Sequence, residues 1–230
     1  MKNLSLLVLF LIALFAFSRN NQEVKKIDDN PHKKHVVIVL DFSGSTRDWP
    51  RPEIDFFESI IEALQREGAT LEIYNFSNKV AIPLKLKLKR VPPPPKIDIG
   101  EIAYKKAKRL RENIQSQNER SIEAFYLKLE KLNTQDKSKW TYANRTLKRV
   151  KKSLASPIYE NGYESFCLIL SDLKDSVPKQ KTAPVDEDTL SSVTDYAHVY
   201  ICNYDESADL SDTGVSEIEY TDFIEILNNF

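Results

Sequence analysis

Apolar and polar residues fall along this chain in three kinds of pattern. The first is the continuous apolar run. Val36-Val37-Ile38-Val39-Leu40 is followed at once by Asp41, Tyr163 to Leu170 runs into Ser171-Asp172, and a third run centres on Val199-Tyr200-Ile201-Cys202 within Tyr196 to Tyr204. Short runs rich in β-branched residues predict strands buried on both faces of a parallel sheet. The second pattern is alternation. Leu71-Glu72-Ile73-Tyr74-Asn75-Phe76 alternates, Ser77-Asn78 turns, and Val80-Ala81-Ile82 returns, which predicts a hairpin. Leu84 to Lys89 alternates strictly and extends that hairpin with one apolar and one cationic face; edge lysines discourage edge-to-edge aggregation. The third pattern has helical period. Ile54, Phe57, Ile60, Ile61 and Leu64 form an apolar stripe opened by Pro52 or Glu53 and closed by Glu67-Gly68. Pro92 to Pro95 form a stiff spacer. Beyond it Ile99, Ala103, Ala107, Leu110 and Ile114, then Ile122, Phe125, Leu129 and Leu132, predict one long helix or a helical pair. Glu217 to Leu227 predicts a closing amphipathic helix, its early acids suited to the positive end of the helix dipole.

Strand, helix, hairpin, helices, strand, strand, helix is the order of a doubly wound, mostly parallel α/β sheet with helices on both faces, carrying a basic helical insertion over residues 92–138. The domain is expected over residues 35–230. Residues 19–34 are polar, mixed in charge and contain Pro31, and read as a tether. Before them, Lys2 precedes an apolar stretch over Leu6 to Phe17 that is shorter than the roughly 20 residues a membrane span needs. With small residues in Ala16-Phe17-Ser18, residues 1–18 are expected to be a signal peptide cleaved after Ser18, making the protein extracytoplasmic, secreted or periplasmic. The other reading is an uncleaved anchor over residues 5–17, the one case in which a membrane is involved.

The net charge of −1 conceals segregation: residues 85–152 hold 20 Lys and Arg against 7 Asp and Glu, while residues 182–230 hold 12 acids and no Lys or Arg. The cations of the insertion, Lys105, Lys106, Lys108 and Arg109 among them, read either as an ordinary solvated helix face or as a docking surface for an acidic partner, an anionic headgroup or a polyanion. No nucleic-acid partner is expected. The five glycines, at 44, 68, 100, 162 and 214, form neither of the closely spaced patterns with which backbone cradles phosphate. Cys167 and Cys202 lie in apolar runs and read as buried thiols, a disulfide remaining open in an oxidising compartment.

Chemistry concentrates where the apolar runs end. Ligands of open α/β sheets bind beyond the carboxyl ends of the strands, and there Asp41-Phe42-Ser43-Gly44-Ser45 delivers one carboxylate and two hydroxyls. Such hard oxygens suit magnesium, calcium or manganese, not zinc or copper. The plain structural reading is that Asp41 or Ser43 caps the following helix. Asp-x-Ser-x-Ser after an apolar strand resembles the first metal-binding loop of the von Willebrand factor A (VWA) domain family, whose adhesion site (MIDAS) adds a threonine and a second aspartate. Thr141, with Leu147 six positions on, resembles the second part, although Lys139-Trp140 stands where the family commonly has glycines; a plain N-cap is the other reading of Thr141. Asp172 resembles the third part, with Leu173 in place of the frequent following glycine.

The resemblance implies a VWA/Rossmann-like sheet in which the first and fourth strands are neighbours, so that Asp41 and Asp172 sit side by side. Two such carboxylates repel, and one takes up a proton unless a cation lies between them. It further implies that Ser43 and Ser45 bind the ion directly, Thr141 directly or through water, and Asp41 and Asp172 largely through water. An open position is left for the carboxylate of a protein partner. Magnesium is the expected ion, with calcium or manganese as alternatives, and the module is expected to be non-enzymatic. Two other functions compete. A metal-free scaffold would bind an acidic partner through the basic insertion. A phosphotransferase would use Asp41 as nucleophile, since the haloacid-dehalogenase-like family is similar in having an aspartate after its first strand, but that resemblance implies a second aspartate, as general acid, where Ser43 stands. A serine hydrolase lacks its Gly-x-Ser-x-Gly turn.

Overall fold

The protein is represented by a computed structural model that describes residues 33–43, 46, 52–65, 67–77, 82–96, 100–133, 139–160, 162–178, 180–202 and 210–229. The expected signal peptide, nearly all of the tether and Ser45 lie outside the described residues.

Eight strands and six helices are described. In chain order they are β1 (Lys33–Leu40), α1 (Ile54–Gln65), β2 (Ala69–Asn75), β3 (Leu84–Leu88), α2 (Glu101–Asn133), α3 (Ala143–Leu154), α4 (Pro157–Glu160), β4 (Tyr163–Leu170), β5 (Lys174–Asp175), β6 (Ala183–Pro184), α5 (Glu187–Thr194), β7 (His198–Cys202), β8 (Ser216–Glu217) and α6 (Asp222–Asn229). Six strands form one sheet in the order β3-β2-β1-β4-β7-β8. Every pair is parallel except β2 with β3. Chain order and sheet order part company at β1, where the path turns from the β2 side to the β4 side. This is the doubly wound α/β arrangement that the run pattern predicts, with β1 beside β4.

Successive side chains of a strand point to opposite faces, and the core divides accordingly. Val36, Ile38 and Leu40 join Leu168 and helices α1, α2 and α6 on one face. Val37 and Val39 join Ile169 and helices α3 and α5 on the other. Both faces of β1 are thereby covered, which is why an unbroken β-branched run suits it. Cys202 belongs to the first cluster and Cys167 to the second, so the sheet separates them; both are free thiols whose pKa burial pushes up to about 12.

Three boundaries differ from expectation. The return strand of the hairpin is Leu84–Leu88, paired Ala69↔Leu88 to Ile73↔Leu84, and not Val80-Ala81-Ile82. Val80 and Ala81 lie outside the described residues, and Ile82 is 70% exposed and outside any strand. The strictly alternating segment wins because an edge strand with one covered face needs that alternation. The closing helix begins at Asp222; Ser216 and Glu217 instead add a short parallel strand beside β7. The first strand opens at Lys33, two residues before the expected domain start.

The insertion is a single 33-residue helix. Its second half packs on the sheet through buried Phe125 and Leu129. Asn118 pins it to the chain leaving β3: its Oδ1 accepts from Lys89 N at 3.0 Å and its Nδ2 donates to Lys89 O at 2.8 Å. Gly68, at φ 78°, closes α1 as expected; a Cβ there would stand 2.8 Å from Arg90 N.

A carboxylate is fully buried within the sheet. Glu72 is 0% exposed because β2 is an interior strand covered on both faces. Its Oε1 accepts from Lys85 Nζ at 2.7 Å, and its Oε2 from Ser153 Oγ at 2.8 Å and Tyr74 OH at 3.0 Å. His35, fully buried and stacked on Tyr159, places Nε2 3.7 Å from Oε1. Burial raises the carboxyl pKa, but His35, Lys85 and Ser153 outweigh it and lower the value to about 2.

Candidate metal centre

Backbone hydrogen bonds stitch together the carboxyl ends of the central strands. Asp41 N donates to Leu170 O at 3.0 Å, joining β1 to β4; Phe76 N donates to Leu40 O at 2.9 Å, joining the end of β2 to β1. Tyr142 N donates to Phe76 O at 2.8 Å, which brings the segment carrying Thr141 to the same edge. Thr141 is also clamped from the other side by reciprocal bonds with Ser176, Thr141 N to Ser176 O at 2.8 Å and Ser176 N to Thr141 O at 2.9 Å. Asp41, Ser43, Thr141 and Asp172 therefore come from three segments that meet at one end of the sheet, all four buried. Ser45, the fifth residue of the expected set, lies outside the described residues.

Leu40 pairs with Leu170, so the residue across from Asp41 is Ser171, with Asp172 one position beyond. Asp41 Oδ2 accepts from Ser171 Oγ at 2.8 Å and Oδ1 from Ser43 N at 2.9 Å. Burial raises the Asp41 pKa, the bonds from Ser171 and Ser43 work against it, and the charge of Asp172 raises it further; the net shift is upward. Asp172 Oδ1 accepts from Lys174 N at 3.2 Å. The two carboxylates thus stand in each other's field in a poorly solvated edge. A cation held between them would favour the charged form of Asp41, which burial and Asp172 disfavour.

Neither capping reading holds. Asp41 and Ser43 precede Ile54, the first residue of α1, by more than two helical turns of sequence. Thr141 is 1% exposed and lies two residues before α3, whose preceding residue, Tyr142, makes no side-chain cap. Asp175 attends that helix start instead, its Oδ1 accepting from Asn144 N at 3.3 Å.

Several supporting residues were not singled out by sequence reasoning. Ser171 links the carboxylate to the next loop, since its Oγ also accepts from Leu173 N at 3.0 Å. Thr46 Oγ1 donates to Asp41 O at 2.8 Å and lies 3.2 Å from Ser43 O, holding the first loop closed. A hydroxyl directly before Asp172 and another at the end of the first loop were the available signals. Leu173 is the only described non-glycine residue with positive φ, at 52°. It takes the left-handed conformation that a glycine accepts without steric cost, so the loop path persists without the glycine.

The donors fit a hard divalent cation in kind: two carboxylates and buried hydroxyls, with a proton-raising environment at Asp41 that a cation would reverse. Among the described residues, no group of three or more His, Cys, Asp or Glu is placed to hold a metal. A set built from two acids and hydroxyls would not form such a group. The four cations Lys105, Lys106, Lys108 and Arg109 lie on the first half of α2 around a shallow depression with Ile102 and Glu112. Helix α2 makes its principal sheet contact with β3, two strands from β1, so the structure does not join these cations to Asp41 and Asp172. No described helix is long and apolar enough to cross a membrane.

No protein-family model matches this sequence, and no curated protein matches it. Solved structures do show likeness. The manganese-loaded TRAP protein of Plasmodium vivax is 13% identical, with a TM-score of 0.41, over 86% of this chain and 72% of that one. Proximal thread matrix protein 1 of the mussel byssus is 9% identical, with a TM-score of 0.41, over 86% and 46% of the two chains. A von Willebrand factor type A protein from Catenulispora acidiphila is 12% identical, with a TM-score of 0.34, over 85% and 42%. The chain thus spans under half the length of the latter two. It is the sheet order and register, rather than these likenesses, that carry the fold assignment.

Proposed function

We propose that this protein is an exported, non-enzymatic binding module that engages a protein partner through a divalent cation. Asp41, Ser43, Ser45, Thr141 and Asp172 hold the ion, magnesium by preference. The observation that supports this reading best is the pair of buried carboxylates beyond adjacent strands β1 and β4, with Asp41 driven upward in pKa by burial and by Asp172. A cation there would offset the burial and repulsion that raise the Asp41 pKa and would take both carboxylates as ligands. Ser43, Ser45 and Thr141 supply neutral oxygens, which leaves the ion with residual positive charge. An acidic side chain of a partner completes its shell, since magnesium keeps exchangeable waters. Export follows from the charged start, short apolar core and Ala-Phe-Ser ending of residues 1–18.

Calorimetric titration with magnesium and with manganese tests the site. Asp41→Ala and Asp172→Ala are expected to lower affinity at least tenfold while far-UV circular dichroism stays unchanged. Equal affinity in the parent and both variants would remove the metal from the account.

A further inference from the structure

The long helix carries a second surface that the metal site does not use. Spanning 33 residues, it is about 50 Å long at 1.5 Å per residue. Lys105, Arg109, Glu112, Glu119, Glu123 and Glu130 recur at three-, four- and seven-residue spacing, so they share one side of it. In its first half that side carries the cations Lys105 and Arg109 together with Glu112, and in its second half Glu119, Glu123 and Glu130. In the first half Ile102, three residues before Lys105, is 74% exposed beside the cations. In the second half a groove of about 790 Å³ runs between α1 and α2. Ile54, Ile122, Tyr126 and Leu127 give it an apolar floor, Glu58, Glu119, Glu123 and Glu130 line its rim, and among the described residues no Lys or Arg lines it.

An acidic groove fits a cationic helix face, and Lys105 and Arg109 give the first half of α2 such a face. We infer that the occupant is a second copy of this chain, its α2 lying antiparallel across the first about a two-fold axis near Ser116. Each basic half then sits in the other copy's acidic groove. Arg109 and Glu123 are equidistant from Ser116 in sequence, as are Ile102 and Glu130, so charges of opposite sign meet twice by symmetry. Such an isologous contact is closed and stops at the dimer. A stripe from Ile102 to Glu130, about 42 Å by 10 Å on each copy, covers roughly 900 Å² in total, the weak end of specific interfaces. The intramolecular pairs Lys105–Glu101 and Lys108–Glu112 at the basic end are exposed i,i+4 contacts that compete little.

Sedimentation velocity of the full chain tests this. The parent is expected to dimerise in 50 mM salt, with a dissociation constant at least tenfold higher in 500 mM salt. The double variants Lys105→Glu with Arg109→Glu, and Glu119→Lys with Glu123→Lys, are each expected to be monomeric at concentrations where the parent is a dimer. Mixed together they are expected to form a heterodimer, because both contacts then join opposite charges again. A monomeric parent, a dimer indifferent to both double variants, or a mixture that stays monomeric would overturn the inference. The first of these outcomes would leave the groove to a basic helix of another protein.

Discussion

Replacing Glu72 by glutamine removes one buried charge while keeping its volume. The folded carboxyl has its pKa lowered from 4.5 to about 2, after burial has been outweighed by His35, Lys85 and Ser153. A depressed carboxylate pKa contributes stability that is complete above the unfolded value and disappears as pH falls through the folded value. At 1.36 kcal/mol per unit the contribution is about 3 kcal/mol at pH 7. It is largely intact at pH 5, roughly halved by pH 3, and gone below about pH 2. Glutamine mimics the protonated form and has no such dependence. The difference in unfolding free energy between parent and variant is therefore expected to shrink by about 3 kcal/mol from pH 7 to pH 2. Titrating groups remote from Glu72 are common to both proteins and cancel, so the difference reads Glu72 together with its coupled partners His35 and Lys85. Urea unfolding at a series of pH values reads this directly, provided both proteins keep the same m-value. A parent-to-variant difference that stays constant across the series would show that the fold does not depress the Glu72 pKa.

Leu173 separates backbone strain from packing. Its side chain is buried, so truncation costs about 2–5 kcal/mol, but glycine also relieves a left-handed conformation worth about 1–2 kcal/mol. Leu173→Gly is thus expected to be more stable than Leu173→Ala, the reverse of the usual order, and denaturation of the two decides it; an alanine variant at least as stable would show that no strain is held there. Phe125→Ala is expected to cost about 3–5 kcal/mol and to release the second half of α2, measurable as faster amide exchange across Ile122 to Leu132. For the amino terminus, sequencing of protein from its native host is expected to begin at Arg19, whereas an intact Met1 in a membrane fraction would establish an anchor.

The central sheet was legible because β1 and β4 are covered on both faces, and continuous apolar runs such as Val36–Leu40 have no other economical use. Their acidic ends, Asp41 and Asp172, were legible for the same reason: an abrupt charge after an apolar run marks where a strand leaves the core. Glu72 was not legible. Alternation through Leu71-Glu72-Ile73 reads as a half-exposed strand, and only the covering of β2 by α3 and α4 reveals that the acid faces protein, with Lys85, His35, Ser153 and Tyr159 arriving from four other segments. The hairpin register was misplaced because Val80-Ala81-Ile82 and Leu84–Leu88 both read as strand, and the choice rests on which one meets the covered face of β2. Ser171 and Thr46 escaped notice because their roles are to hold the backbone and carboxylate of Asp41, contacts that no sequence period encodes. At Leu173 the residue type argued against a glycine-like turn, yet burial of the side chain compensates for the strained backbone.

Asp41, Ser43, Ser45, Thr141 and Asp172 are proposed to surround one cation. The most direct measurement of this arrangement is an anomalous difference map from crystals of the protein grown with manganese. A single peak is expected beyond the carboxyl ends of β1 and β4, within direct coordination distance of the hydroxyl oxygens of Ser43 and Ser45, with Asp41 and Asp172 in its surrounding shell. A map with no peak there, or a peak held by other residues, would contradict it.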